Sequence, residues 1–320
     1  MILLLDKYPK GAVKKALIWI KIFVKEGVLL QDWKEVFRNR NKGGSVFIPQ
    51  IIKKQLSEVT EIHHNLLSNQ YYEKVVVVND IECLKWAIEQ KKMGKIGELI
   101  IGPFIQNHPH EYNSILLSSH VDKEIFFSEW HKNMFLFFEP KLKERKLYTW
   151  FCGVDDQFWK SANKNKKQKT VLIYCKTHTN EIAKPIIDFL EKKGFSIFIV
   201  KVSNYTWEEY KEKLSQSELA IFISVTETQG LAIFEAWSMN VPTYHWNSKQ
   251  WRYQGLSYDL ASSCPYLQPE LGDEFENLIE FKSNFIKKYN ELISKNPETI
   301  VAQKYTLEKS TQLLQNIIAE

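Results

Sequence analysis

The chain has 320 residues, a length at which a soluble protein usually forms two domains that each bury a core. Hydrophobic residues make up 44% of the sequence and charged residues 25%, which excludes an intrinsically disordered chain. The 43 basic and 38 acidic residues leave a formal charge of +5, too mild a bias for a nucleic-acid-binding protein, although it suits anionic ligands.

The first 30 residues carry apolar runs that charged side chains interrupt, Asp6 and Lys14 among them. This pattern predicts neither a signal peptide nor a membrane span. Apolar residues from Val13 to Val24 recur at helical spacing, with lysines gathered away from them. Such a helix fits an anionic membrane surface, but we favour a helix packed on a sheet, because α/β domains need covering helices.

In the first half of the chain, strand-like and helix-like segments alternate, which is typical of parallel sheets covered by helices. A continuous β-branched run at 74–80 predicts a strand buried on both faces, and a helix follows from Ile81. Further strands are predicted at 98–105, 123–130 and 146–155. These elements predict an N-terminal Rossmann-like domain over 1–155.

Residues 160–169 are strongly basic and hold no apolar side chain larger than alanine. We interpret them as an exposed connection between domains, with a lipid-binding patch as the weaker interpretation. The alternation then restarts and predicts a second Rossmann-like domain over 156–285. Its strands are predicted at 170–176, 195–202, 218–225 and 241–246, and its helices at 180–194, 206–217 and 231–239.

Four cysteines stand far apart with no paired spacing: Cys83, Cys152, Cys175 and Cys264. This spacing indicates neither a disulfide framework nor a zinc site. We therefore expect reduced, mostly buried thiols in a cytoplasmic protein.

The stretch ETQGLAIFEAWSMNVP (227–242) lies where a predicted strand turns into a helix. Open α/β sheets bind ligands beyond the carboxyl ends of their strands, so this turn should face a cleft between the two domains. Gly230 and Leu231 then present free backbone N–H groups at a helix N-terminus, which suit phosphate. Glu227 in the loop and Glu235 in the helix can accept hydrogen bonds from the hydroxyls of a sugar or a ribose.

Two acids enclosing seven residues, with Gly230-Leu231 between them and Val241-Pro242 after them, resemble the nucleotide-sugar signature of GT-B glycosyltransferases. The resemblance is to the retaining, family 4 (glycosyl transferases group 1) kind. KLYTWFCGVDDQFWK (146–160) resembles the domain junction of that family, and KEIFFSEWHKNMF resembles the last helix-bearing unit of its first domain. The resemblance covers about two thirds of the chain and is weakest over the first 70 residues.

The resemblance implies a GT-B fold: two Rossmann-like domains face each other across a cleft, the first on the acceptor side and the second binding the donor. The C-terminal helical segment, 286–320, would return to the first domain. Glu235 would bind the ribose hydroxyls, Glu227 those of the donor sugar, and the Gly230 and Leu231 amides the diphosphate or sugar, beside Gln229. Lys176 would stabilise the diphosphate leaving group, with a merely solvated lysine as the alternative.

Two positions depart from the family pattern. Gln229 stands where the family commonly has an aromatic residue, and the family's second basic residue, a few positions after Lys176, is missing. Unless His178 or a residue elsewhere substitutes, leaving-group stabilisation would be weak and the protein could be a non-catalytic relative.

Retaining enzymes of this fold tend to use a polar residue of the first domain, often histidine, near the reacting carbon. His108 and His110 directly follow a predicted strand and would face the cleft, and His120 is the other candidate. We take His108 as the candidate catalytic residue. A structural role is the commoner one for a lone histidine.

Motifs of other chemistries are absent from the sequence: no dinucleotide or phosphate-loop glycine motif, no GxSxG elbow, and no Asp-x-Asp metal-binding pair. We therefore expect no metal and no cofactor, only a nucleoside-diphosphate sugar as co-substrate.

The sequence thus predicts a cytoplasmic glycosyltransferase that moves a sugar from a nucleoside-diphosphate donor to a glycan or lipid-linked glycan acceptor. The resemblance implies retention of anomeric configuration and a setting in surface polysaccharide biosynthesis, and the basic surface fits peripheral membrane contact. One alternative is a GT-B sugar-nucleotide epimerase. The other is a non-catalytic subunit that binds nucleotide or glycan and supports a partner transferase.

Overall fold

The structure is a computed structural model. It describes the backbone of residues 2–5, and residues 71–78, 80–103, 107–161, 167–176, 179–202 and 204–320 in full. The predicted helix from Val13 to Val24, the centre of the predicted connection (162–166) and His178 lie outside the described residues. Within the described ranges, no helix is long and apolar enough to cross a membrane.

The N-terminal domain is built on a parallel sheet whose strands lie side by side in chain order. The strands are β1 (Ile2–Leu5), β2 (Tyr72–Val77), β3 (Ile96–Ile101), β4 (Lys123–Phe126) and β5 (Lys146–Thr149). Helix α1 (Ile81–Lys92) connects β2 to β3, and α2 (Glu129–Phe138) connects β4 to β5. Short helical turns lie at Glu111–Ser114, Ile115–Leu117 and Pro140–Glu144.

The two faces of this sheet are covered by different parts of the chain. Alternate side chains, Val75, Val77, Leu99, Ile101 and Phe126, pack with α1 and α2. This is the arrangement expected when right-handed crossovers always step in the same direction. The opposite face, with Val76, Ile100, Ile125 and Phe127, packs against the last helix of the chain. The C-terminal segment therefore completes the core of the N-terminal domain.

The C-terminal domain is a second parallel sheet of five strands, in the order β12-β9-β8-β6-β7. The strands are β6 (Thr170–Cys175), β7 (Ser196–Lys201), β8 (Leu219–Ile223), β9 (Thr243–Trp246) and β12 (Gly272–Phe275). One face packs with α4 (Trp207–Gln216) and α5 (Leu231–Ser238), and the other with α3 (Asn180–Lys192) and α6 (Leu278–Leu292). The predicted α/β class with two Rossmann-like domains is thus confirmed.

Three differences from the predicted elements have physical reasons. Strand β4 ends at Phe126, because Ser128 takes the extended N-cap position of α2 within the predicted strand 123–130. The strand 241–246 is not the last: the hairpin β10 (Trp251–Tyr253) and β11 (Leu256–Tyr258) and then β12 follow. Strands of three or four residues are too short for a period of two to stand out. Helix α6 continues across residue 285, where the second predicted domain ends.

The C-terminal tail forms two helices, α7 (Pro297–Lys304) and α8 (Leu307–Ala319), rather than one. The chain breaks between them where the junction after β5 packs against it: Val154 and Thr306 form a β-bridge. A Cβ on Gly153 would lie 2.3 Å from the Thr306 carbonyl oxygen, so only glycine allows this approach. The Trp150 indole then donates to the Ser310 carbonyl at 3.0 Å. These contacts direct α8 back onto the N-terminal domain.

Shortening a side chain of α8 that packs on the N-terminal sheet should destabilise the whole protein. Leu314 is 1% exposed and packs on the N-terminal sheet, so Leu314→Ala is expected to lower the free energy of unfolding by about 2–4 kcal/mol. The exposed neighbour Gln312→Ala is the matched control and should change it by less than about 0.5 kcal/mol. Urea unfolding followed by circular dichroism measures both. Equal, small effects would show that α8 contributes little to the folded core.

Candidate functional site

The candidate site lies where the strand order of the C-terminal sheet reverses. Strand β6 has β7 on one side and β8 on the other, and the chain leaves both β6 and β8 at their carboxyl ends. Such a switch point opens a crevice between the outgoing loops, and open α/β sheets bind ligands there. Lys176 directly follows β6, and the segment 224–230 follows β8. The observed topology places the strand-to-helix turn at this corner, and a ligand site there stays a prediction.

Gly230 forms the sharp corner between the loop and α5. Its φ of +86° and ψ of 68° lie in the left-handed region, where a side chain would be strained. It occupies the N-cap position, and no side chain caps the helix. Among the described residues, the N–H groups of Leu231 and Ala232 have no hydrogen-bond partner. This helix N-terminus therefore offers backbone donors and a positive dipole end to an anion.

Glu227 is held from several sides. Its carboxylate accepts a hydrogen bond from the Ser224 hydroxyl at 3.1 Å and pairs with the Lys176 ammonium at 2.8 Å. Its backbone N–H donates to the Ser262 carbonyl at 2.9 Å. The side chain is 11% exposed, whereas that of Lys176 is 36% exposed. The loop thus presents a fixed carboxylate beside a partly solvated ammonium group.

Glu235, unlike Glu227, is buried without a partner for its carboxyl group among the described residues. It is 8% exposed, and no hydrogen bond or ion pair reaches its carboxyl group from the part of the chain that the structure describes. Burial alone raises the pKa of Glu235 from 4.5 to about 8. Acids with such a shift and no structural partner are concentrated at binding and catalytic sites. Glu235 is therefore a candidate ligand-binding side chain.

Besides burial, Glu227 and Glu235 each raise the pKa of a tyrosine in one cluster of tyrosine side chains. Burial is the largest cause that raises the pKa of Tyr210, and Tyr205 and Glu235 add to it. Burial likewise raises the pKa of Tyr174, and Glu227 is among the groups that add to that shift. The Tyr174 and Tyr210 rings are 5.8 Å apart. The two acids thus face the same small region of the C-terminal domain.

Gln229 is engaged by the junction between the domains. Its side-chain oxygen accepts from the Cys152 N–H at 2.8 Å, and its amide nitrogen donates to the Cys152 carbonyl at 2.6 Å. The residue is 3% exposed. Both polar ends of the side chain are used inside the protein, so we assign it to positioning the loop. Its predicted contact with a donor stays a prediction.

The candidate histidines lie in the segment between β3 and β4 of the N-terminal sheet. His108 follows the carboxyl end of β3, and its ring centroid lies 5.8 Å from that of Tyr253 in the β10–β11 hairpin. His110 lies beside it, with the ring centroids 6.2 Å apart. His120 precedes β4 and therefore lies at the amino edge, away from the ligand-binding side. The His110 ring lies 3.5 Å from the Phe138 carbonyl, at the end of α2. A position of His108 facing the cleft, and a catalytic role for it, stay predictions.

Two contacts of the site were not predicted from the sequence. Ser224 holds the Glu227 carboxylate, and the Trp130 indole of the N-terminal domain donates to the Glu227 carbonyl at 2.8 Å. Ser224 is not part of a sequence motif that we could recognise. The Trp130 contact joins positions 97 residues apart, so no local spacing predicts it. In the described ranges, no three His, Cys, Asp or Glu side chains stand close enough to hold a metal ion. Metal independence stays a prediction.

No family model matches the sequence, and no functionally characterised protein matches it by sequence. Solved structures match it by fold. The lipopolysaccharide outer core galactosyltransferase WaaB in its apo form has a TM-score of 0.55 at 11% identity, over 99% of this chain and 98% of that one. The catalytic domain of starch synthase IV from Arabidopsis thaliana, bound to ADP and acarbose, has a TM-score of 0.53 at 8% identity, over 85% and 76%.

The pneumococcal O-GlcNAc transferase GtfA in complex with UDP and GlcNAc has a TM-score of 0.52 at 11% identity. This match covers 78% of the present chain and 57% of GtfA, so the chain spans little more than half of that protein. At these identities the likeness establishes the architecture. The chain has the GT-B fold, as the sequence predicted, with its C-terminal helix crossing back to the first domain.

The state of Glu235 predicts a pH-dependent stability difference. Between its ordinary pKa of 4.5 and its folded pKa of about 8, the folded protein holds a proton that the unfolded chain has released. The free energy of unfolding of the wild type should therefore fall with rising pH in this window, by ~1.4 kcal/mol per pH unit relative to Glu235→Gln. The difference should stop growing above about pH 8, where the folded protein has released the proton as well.

Urea unfolding of both proteins at about pH 5, 6.5 and 8 measures this difference. Glu208→Gln, at an exposed position of α4, is the matched control and should run parallel to the wild type. Parallel curves for Glu235→Gln as well would mean that Glu235 is ionised in the folded protein at neutral pH.

Proposed function

We propose that the protein is a glycosyltransferase that moves a sugar from a nucleoside-diphosphate donor to an acceptor hydroxyl. The observation that carries the proposal is the buried, unpartnered Glu235 beside an uncapped helix N-terminus at the switch point of the C-terminal sheet. These groups need, respectively, a hydroxyl donor and an anion. A nucleoside diphosphate supplies both in one molecule.

Glu235 would accept hydrogen bonds from the two ribose hydroxyls. A carboxylate accepts such bonds well, and a bond to a charged group contributes about 1.5–3 kcal/mol. Because burial keeps this carboxyl largely protonated without a ligand, hydroxyl donors would favour its ionised form. Nucleotide binding would therefore release a proton near neutral pH.

The diphosphate would lie at the start of α5, where the Leu231 and Ala232 N–H groups have no partner among the described residues. Lys176 stands at the end of β6 and pairs with Glu227. During transfer, the bond between the anomeric carbon and the diphosphate oxygen breaks, and the leaving oxygen gains negative charge. Lys176 and the α5 dipole would stabilise that charge.

Glu227 would bind hydroxyls of the donor sugar. Ser224 and Lys176 already fix its carboxylate, so the sugar would meet an acceptor of defined direction. The acceptor oxygen would form the new bond to the anomeric carbon, and its proton would pass to the departing diphosphate. Retention of configuration follows from the resemblance stated for the sequence, with His108 as the candidate polar group on the acceptor side.

For the acceptor we propose a glycan or lipid-linked glycan, and for the setting surface polysaccharide biosynthesis in the cytoplasm. The likeness to WaaB, which spans nearly the whole of both chains, supports this choice over a storage polysaccharide. Peripheral contact with a membrane through the basic surface is part of the same proposal.

A second candidate function is a non-catalytic subunit that binds nucleotide or glycan. It is favoured by the ion pair between Lys176 and Glu227, because this contact already balances the one cation that the described residues bring to the corner between β6 and β8. An enzyme would have to exchange this pair for contacts with the donor during each turnover.

A nucleotide screen tests the proposal. UDP, GDP, ADP, CDP and their sugar derivatives are added to the protein, and a ligand of the folded state raises the melting temperature. One base should stand out. Glu235→Gln should weaken binding of that nucleotide by about 10- to 100-fold, because one charge-assisted contact is lost. Glu208→Gln is the exposed control.

Glu227→Gln separates binding from turnover. We expect it to leave the affinity for the bare nucleotide within about threefold and to lower consumption of the nucleotide sugar by about 10-fold or more. Nucleotide binding by a wild type that consumes no donor with any acceptor tried would favour the non-catalytic subunit. Conversion of donor alone into an isomer would identify an epimerase. No stabilisation by any nucleotide would refute the site.

A further inference from the structure

Trp130 connects the N-terminal domain to the loop that carries Glu227. It lies in the first turn of α2, is 8% exposed, and packs in the apolar core of its own domain. Its indole N–H extends out of that core and donates to the backbone carbonyl of Glu227 at 2.8 Å. A buried tryptophan usually directs its N–H to one partner. Here that partner belongs to the other domain.

The N–H and the carbonyl of Glu227 are thus hydrogen-bonded to residues of different domains. The N–H is bound by Ser262, in the same C-terminal domain, and the carbonyl is bound by Trp130. In the described part of the chain, no other donor reaches that carbonyl. Ser224 and Lys176 hold the carboxylate from the C-terminal domain, whereas the carbonyl side of the Glu227 peptide is held by the N-terminal domain.

Neighbouring contacts define how closely the domains approach here. The Tyr266 hydroxyl of the C-terminal domain donates to the Phe127 carbonyl, three residues before Trp130. The hairpin packs on the same helix: the Trp251 and Phe138 ring centroids are 5.7 Å apart. These contacts hold the interface without touching the Glu227 loop. They therefore allow the general effect of the interface to be separated from the effect of the single bond to Glu227.

We propose that Trp130 is a positioning residue that makes the alignment of Glu227 conditional on closure of the two domains. The inference rests on the proposed function, because it concerns the acid that would bind the donor sugar. In the closed arrangement the indole orients the Glu227 peptide, and the carboxylate points to the sugar. When the domains part, the carbonyl loses its donor and the loop gains freedom, so a bound donor is not aligned until closure.

The nucleotide half of the site does not depend on this bond. Glu235 lies within α5 and is fixed by its own helix, eight residues after Glu227. The inference therefore predicts a divided effect: loss of the indole N–H should impair donor turnover and leave nucleotide affinity unchanged. Loss of a residue that merely stabilises the fold would not lower donor turnover while leaving nucleotide affinity unchanged.

Trp130→Phe is the test variant, because it removes the N–H and keeps an aromatic ring in the core. Two matched controls are available. Trp251→Phe makes the same exchange at a site 7% exposed whose indole donates to none of the described residues. Tyr266→Phe removes a hydrogen bond between the domains that does not involve Glu227.

Two measurements are made on the full chain. Hydrogen exchange of the peptide covering 224–231 reports on the loop without any substrate, and it should be about 3- to 10-fold faster in Trp130→Phe alone. Consumption of the nucleotide sugar identified by the screen should show kcat lowered by about fivefold in the same variant. The affinity for the bare nucleotide should stay within about twofold in all three variants.

The inference is overturned if Trp130→Phe behaves like both controls in loop exchange, or if Tyr266→Phe reproduces its effect, since domain contact in general would then be the cause. It is also overturned if nucleotide affinity falls together with kcat. Failure of the proposed function has a different signature: the wild type would bind no nucleotide and consume no donor. The exchange measurement would still judge the role of Trp130.

Discussion

An ionisable side chain is costly to bury without a partner, and Glu235 is buried in that way at the corner where the two domains meet. Two residues just before α5 set the position of the helix that carries this acid. Gly230 turns the chain sharply enough to start α5 at the crevice, and Gln229 ties the same turn to the backbone of Cys152. Burying this carboxyl group without a partner lowers the stability of the folded protein.

The site belongs to both domains, although its acids come from one. Leu231 packs against the apolar cluster that α8 forms with the N-terminal sheet, and Trp130 of the N-terminal domain donates to the Glu227 carbonyl. Since α8 is itself the cover of the N-terminal sheet, the end of the chain, the junction near Gly153 and the start of α5 form one continuous contact.

Much of this could be predicted from the sequence, because β-branched runs and the acid-glycine-acid spacing are local signals. The run at 74–80 and the strand before Glu227 are continuous apolar segments that predict buried strands. Gly230 predicts the turn between strand and helix. What could not be predicted depends on contacts between distant segments: Gln229 bound to Cys152, Trp130 bound to Glu227, and the break between α7 and α8 at Thr306. The raised pKa of Glu235 also has no sequence signal, since it follows from how completely neighbouring elements exclude water.

The central claim is that Glu235 is protonated in the free protein and ionised when it holds a nucleotide. Calorimetry of the preferred nucleotide sugar, in buffers of different ionisation enthalpy, counts the protons exchanged on binding. A nucleotide sugar is the suitable probe, because its diphosphate has no ionisation near neutral pH. With a free pKa of about 8, the account predicts release of about 0.9 proton per bound ligand at pH 7, and none from Glu235→Gln. Tight binding by the wild type without proton release would contradict it.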